Sequence, residues 1–90
     1  MDLQDYRQEI DRLNREIADT ISKRMNVVDE IGQLKKEKDL EIEDENREEE
    51  VKQQFELLFE KQDLPTEKGR ELAEYLIEMA KDRQGEDLLE

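Results

Sequence analysis

Residues 3–38 read LQDYRQEIDRLNREIADTISKRMNVVDEIGQLKKEK, and this stretch decides the fold. Taken in heptads, its apolar line is Leu3, Tyr6, Ile10, Leu13 and Ile17, then Thr20 and Arg24, then Val27/Val28, Ile31 and Leu34. No Gly or Pro interrupts it before Gly32. The period therefore predicts one helix from about Leu3 to Lys38, roughly 54 Å long, with one face turned to a core. A helix of that length cannot fold back on itself and must lie against something else. Arg24 falls where the line asks for Leu or Ile. A guanidinium on a core line needs an anion.

Outward from this helix, Asp39 to Asp44 breaks the period and reads as a loop. Asp44 is placed to cap a second helix, with Glu45 in a first turn where the helix dipole favours anions. That helix is expected from about Glu45 to Lys61, with Val51, Phe55, Leu58 and Phe59 as its apolar stripe. Gln62 to Thr66 is a second turn, and Pro65 suits the start of a helix. A third helix is expected from about Thr66 to Gln84, with Leu72, Ala73, Leu76, Ile77 and Ala80 facing inward. Gly85 is the expected stop, followed by an acidic, frayed tail from Glu86 to Glu90. No internal repeat appears. The expectation is one all-α domain over residues 1–90: one long helix and two shorter ones.

Of the 90 residues, 33% are hydrophobic and 48% are charged. A chain this small and polar buries little apolar area alone, so a second copy is expected to complete the core as an obligate homodimer. The formal charge of −13 argues against nucleic acid or an anionic membrane as partner, because both need basic surface. It leaves room for a small anion in a local basic pocket. The N-terminus, Met1 to Asp5, has neither the basic segment nor the apolar run of a signal peptide. No apolar stretch approaches transmembrane length, and the lack of Cys is compatible with the cytoplasm, the expected location.

With no His and no Cys, a Ser-His-Asp triad, a thiol nucleophile and an ordinary zinc site are excluded. Gly32, Gly69 and Gly85 are scattered and form no phosphate loop. Any catalysis must work through Arg, Lys, Gln, Asp and Glu, by positioning and electrostatics, with neither metal nor cofactor expected.

Arg24 and Lys35 lie three turns apart on one face of the first helix, at a rise of about 16 Å, and can reach inward toward one small ligand. Arg7 is roughly 25 Å before Arg24 and about a quarter-turn off that face. It can serve the same ligand only from the other subunit of an antiparallel dimer. A plainer reading stands beside this one. Arg24 can be a polar seam residue that sets register or pairs with a neighbouring Glu, while Arg7, Lys35, Arg47, Glu48 and Gln84 taken singly are surface groups. The residues by themselves lead to a helical dimer with a candidate anion pocket. Two non-catalytic alternatives follow: an acidic helical dimerisation module, or an acidic protein that engages a basic partner surface.

Three stretches carry more. Arg7-Gln8-Glu9-Ile10-Asp11-Arg12-Leu13-Asn14-Arg15-Glu16-Ile17 is similar to R-x-x-I-D-x-h-D-x-x-h, where h is apolar. Arg24-Met25 followed by Ile31-Gly32-Gln33-Leu34-Lys35 is similar to R…h-G-x-x-K. Ile42-Glu43-Asp44-Glu45-Asn46-Arg47-Glu48 is similar to h-x-D-x-x-R-E. With a closing helix from Leu76 to Gln84, the chain resembles, over nearly its whole length, the all-α (AroQ) class of chorismate mutases. No single motif is specific; the resemblance rests on all three at this spacing.

The resemblance implies two interlocked chains whose long helices pair to build two identical active sites, each completed by an Arg from the partner's long helix. It implies the rearrangement of chorismate to prephenate on the route to phenylalanine and tyrosine, a unimolecular step with no covalent intermediate. By position, Arg24 and the partner subunit's Arg7 would hold the two substrate carboxylates, with Arg47 supporting that end. Lys35 and Gln84 would donate to the ether oxygen, which gains charge as its bond breaks. Glu48, with Asp44, would bind the ring hydroxyl. The chain departs from the pattern at Ala80, beside the substrate, where relatives often have Ser. It departs also at Gly69 and Thr20, where an apolar residue is usual; these two are expected to loosen the packing. The enzyme is expected to stand alone, without a fused dehydratase or dehydrogenase domain.

Overall fold

The computed structural model describes residues 1–41 and 44–89, with 85–89 described in backbone only. The loop reading at Ile42 and Glu43 and the end of the acidic tail at Glu90 lie outside these residues. The described chain is all-α: α1 (Leu3–Glu37), α2 (Glu45–Lys61) and α3 (Thr66–Leu89).

Each helix end has a local cause. Asp2 opens α1 with a capping box: its carboxylate accepts from the Asp5 amide at 3.0 Å, and Asp5 accepts from the Asp2 amide at 3.2 Å. After α1 the chain turns through Asp39 at φ 55°, and the Leu40 N–H reaches back to the Lys35 carbonyl at 2.8 Å. Asp44 caps α2, as expected, by accepting from the Arg47 amide at 3.0 Å. Asp63, at φ 58°, closes α2 in the same way as Asp39, with the Leu64 N–H on the Phe59 carbonyl at 2.9 Å. The Pro65 carbonyl accepts from the Gly69 amide at 3.3 Å and so begins α3.

Gly85 does not stop α3. A glycine ends a helix by taking positive φ, and no glycine here does so; no Pro follows either. The helix continues to Leu89, so the expected frayed tail is helical through that residue.

α2 and α3 form an antiparallel hairpin, and they approach closely at Gly69. A Cβ at Gly69 would lie 2.6 Å from the Phe55 carbonyl oxygen and 2.8 Å from Phe59 Cγ. The glycine therefore admits a close backbone approach, which corrects the expectation of looser packing at this position. Arg70, the next residue, fastens the pair. Its guanidinium forks onto Glu49 at 3.0 and 3.1 Å and reaches Glu56 at 2.8 Å. These contacts raise the Arg70 pKa, and the hydrogen bond from Arg70 holds the Glu49 carboxyl below its usual range.

The buried apolar residues are Val51, Ala73 and Leu76 of the hairpin with Met25 and Val28 of α1. Leu58 and Leu72, expected inside, are exposed in the single chain, as is Thr20. α1 approaches α3 but not α2 among the described residues. Its first eighteen residues, Leu3 to Thr20, are exposed throughout; Ile10 and Ile17 leave 56% and 58% of their surface open. The molecule is accordingly drawn out, with a longest extent of 55 Å. Its radius of gyration is 16.3 Å, against about 12 Å for a compact chain of this length. Its surface is 7420 Å², against roughly 5600 Å² for a compact monomer of this mass.

Candidate active site

Between the C-terminal half of α1, the start of α2 and the later turns of α3, three helix faces line a cavity of about 200 Å³. Each face is a helical stripe. α1 contributes Arg24, Val28, Ile31 and Lys35; α2, from its cap onward, contributes Asp44, Arg47, Glu48 and Val51; α3 contributes Ile77, Ala80, Lys81 and Gln84. Spacings of three and four put each set on one side of its helix, so polar and apolar groups converge without a loop to place them.

Seven of the eight residues singled out in the sequence therefore meet: Arg24, Lys35, Asp44, Arg47, Glu48, Ala80 and Gln84. Arg7 is not among them. It is exposed on the free half of α1, about 25 Å before Arg24 along the helix.

Arg24 Nη1 is buried and has no hydrogen-bond partner among the described residues. A buried charged donor left unmade is costly, so this nitrogen calls for an acceptor that the described chain does not supply. The reading in which Arg24 pairs with a neighbouring Glu finds no such partner among the described residues. Gln84 is buried, with 8% of its surface open, and its Nε2 donates to the Val28 carbonyl at 3.3 Å. A primary amide carries a second N–H, which that bond leaves for another acceptor. Gly32 faces this side chain, and a Cβ there would stand 3.4 Å from Gln84 Cγ.

The acids are already engaged. Asp44 Oδ1 caps α2 through the Arg47 amide, and Glu48 Oε1 lies 3.0 Å from Lys81 Nζ. Arg47 reaches Glu50 at 3.3 Å in an exposed pair, which is worth little in stability. Lys81 is the lining residue that the sequence reading missed. Its one signal is position, three before Gln84 and one after Ala80, on the face that those two define. Arg24, Lys35, Arg47 and Lys81 against Asp44 and Glu48 give the lining a charge of +2, in a chain whose total is −13.

A second, largely apolar cavity of about 590 Å³ adjoins the first. Leu13, Ile17, Ile21, Phe55, Leu72 and Leu76 line it, and Arg24 stands in the wall common to both. Among the described residues no helix is long and apolar enough to cross a membrane.

Fold and site together define an all-α scaffold with a small, net-positive cavity suited to a compact dianion. The family model for chorismate mutase type II matches residues 6–85, and the chain belongs to that family. The activity that goes with it is that of a chorismate mutase, an intramolecular isomerase. Neither the curated proteins nor the solved structures give a match.

Proposed function

We propose that the chain is a cytoplasmic homodimer that rearranges chorismate to prephenate, on the route to phenylalanine and tyrosine, in two sites shared between subunits. The observation that carries this reading is Arg24 Nη1, buried and without a partner among the described residues, in the wall of a cavity whose described lining carries a charge of +2. A substrate with two carboxylates supplies the missing acceptor and balances the charge.

Arg24 takes one carboxylate as a charge-assisted pair, and the partner subunit's Arg7 takes the other. Lys35 and the second amide N–H of Gln84 donate to the ether oxygen. Their contribution grows as the carbon–oxygen bond breaks, so it lowers the barrier and does not merely tighten binding. Glu48, held by Lys81, accepts from the ring hydroxyl, with Asp44 beside it. Clamping both carboxylates selects the compact conformer in which the reacting carbons meet. No proton moves to or from the protein.

Dimerisation is supported by the surface a lone chain leaves open. The excess over a compact monomer is about 1800 Å². That excess is the size of a substantial protein interface. The exposed Leu3, Tyr6, Ile10 and Ile17 of α1 and the apolar cavity ending at Arg24 supply complementary apolar surfaces. An antiparallel α1 pairing would seat the free half of one α1 in the other chain's apolar cavity and bring the partner subunit's Arg7 toward Arg24.

The direct test is the loss of chorismate absorbance on adding purified protein, with Arg24→Ala as the comparison. Turnover by wild type and none by the variant supports the assignment. No turnover by a folded wild-type dimer contradicts it, and the non-catalytic dimerisation module then stands.

A further inference from the structure

Two polar links join α1 to α3 side by side. Gln84 Nε2 donates to the Val28 carbonyl at 3.3 Å. The neighbours of those two residues form an ion pair: Arg83 Nε lies 2.9 Å from Asp29 Oδ1, and Arg83 Nη2 donates to Asp29 Oδ2 at 2.9 Å. The links are thus one residue apart on both helices. The first lies at the long end for an N–H···O bond. The second is a fork-to-fork guanidinium–carboxylate pair, which fixes distance and direction together.

The surroundings make that fixing matter. α1 reaches α3 over a short stretch, and the buried apolar residues that α1 contributes are Met25 and Val28. Gln84 sits opposite Gly32, where the facing residue has no side chain to restrain it. We infer that the Asp29–Arg83 ion pair is a positioning device that sets the Gln84 amide in the cavity. Neither residue of the pair lines the cavity. About half of the Arg83 side chain is exposed, so the pair's share of overall stability is small. Its effect is on where one donor points.

This inference rests on the proposed role of Gln84 for its kinetic consequence, but not for its structural one. A donor that acts mainly in the transition state, once misaimed, lowers kcat and leaves KM in place. A mere brace would lower the melting temperature and spare kcat. The test uses the full chain as Arg83→Ala, Asp29→Ala and the exchanged pair Asp29→Arg with Arg83→Asp. Chorismate kinetics are read beside the Gln84 side-chain amide resonances in ¹⁵N spectra. Each single variant is expected to lower kcat about tenfold with KM held within about twofold. The Gln84 amide proton that bonds Val28 should move toward the shift of a solvent-exposed glutamine, and the exchanged pair should recover both readouts. Unchanged Gln84 resonances in both single variants, or an exchanged pair no better than either, would overturn the inference. A wild-type chain that leaves chorismate untouched, yet whose Gln84 amide responds to Arg83→Ala, would sink the proposed chemistry and uphold the positioning role.

Discussion

Lys81 Nζ lies 3.0 Å from Glu48 Oε1, so α3 sets a cation against an acid in the first turn of α2. Lys81→Met leaves Glu48 unpaired and lowers the lining charge by one. With an effective dielectric of about 40 and a separation of roughly 7 Å, one charge against a carboxylate is worth about 1 kcal/mol. The expected result is a KM raised about fivefold with kcat changed far less, because the charge acts on bound substrate and transition state alike. Steady-state kinetics on chorismate decide it.

Lys35→Ala and Gln84→Ala should behave in the opposite sense. Each removes a donor whose partner gains charge only as the ether bond breaks, so kcat should fall about a hundredfold or more. Sedimentation should show the same assembly as wild type. Unchanged turnover in either variant removes that residue from the ether-oxygen role.

Gly69→Ala should destabilise the fold although alanine is the better helix former. The added methyl would meet the Phe55 carbonyl oxygen at 2.6 Å, and backbone cannot step aside as a side-chain tip can. Propensity returns about 1 kcal/mol, while overpacking of this kind costs about 1–3 kcal/mol, so the net effect is a loss. Urea unfolding gives the sign. A more stable variant would show that α2 and α3 do not approach this closely.

The Arg70 cluster predicts an acid dependence. Hydrogen bonding to Arg70 lowers the Glu49 pKa in the folded chain. The resulting stabilisation is present above the unfolded value, about 4.3, and is lost as pH falls through the lower folded value. Melting temperatures of wild type and Arg70→Gln should therefore differ most near neutrality and converge in acid. A gap that persists in acid, below that folded value, would place the Arg70 contribution elsewhere, in packing of its stem.

The helices were legible because their causes are local. An apolar line at helical spacing set α1, and an aspartate before a charged turn set the start of α2. Arg24 stood out because a cation on an apolar line contradicts its surroundings. Lys81 did not, since a lysine on so charged a helix looks like any solvent-facing one until α2 brings Glu48 opposite. Gly69 showed its propensity cost in the sequence, whereas its use, the nearness of the Phe55 carbonyl, exists only after the hairpin has closed. Gly85 suggested a stop, but the stop needs positive φ and the backbone does not adopt it. The Asp29–Arg83 pair spans 54 positions and belongs to no local pattern.

Mixing two inactive variants gives the sharpest test of a site completed by the partner subunit's Arg7. Arg7→Ala damages the residue given to the neighbour; Lys35→Ala damages the residue kept. Each homodimer then has two defective sites, whereas a mixed dimer has one site with both defects and one with neither. Refolding the two together should restore about a quarter of wild-type turnover in a random mixture. No recovery, in a mixture shown to contain mixed dimers, would mean that each chain builds its site alone.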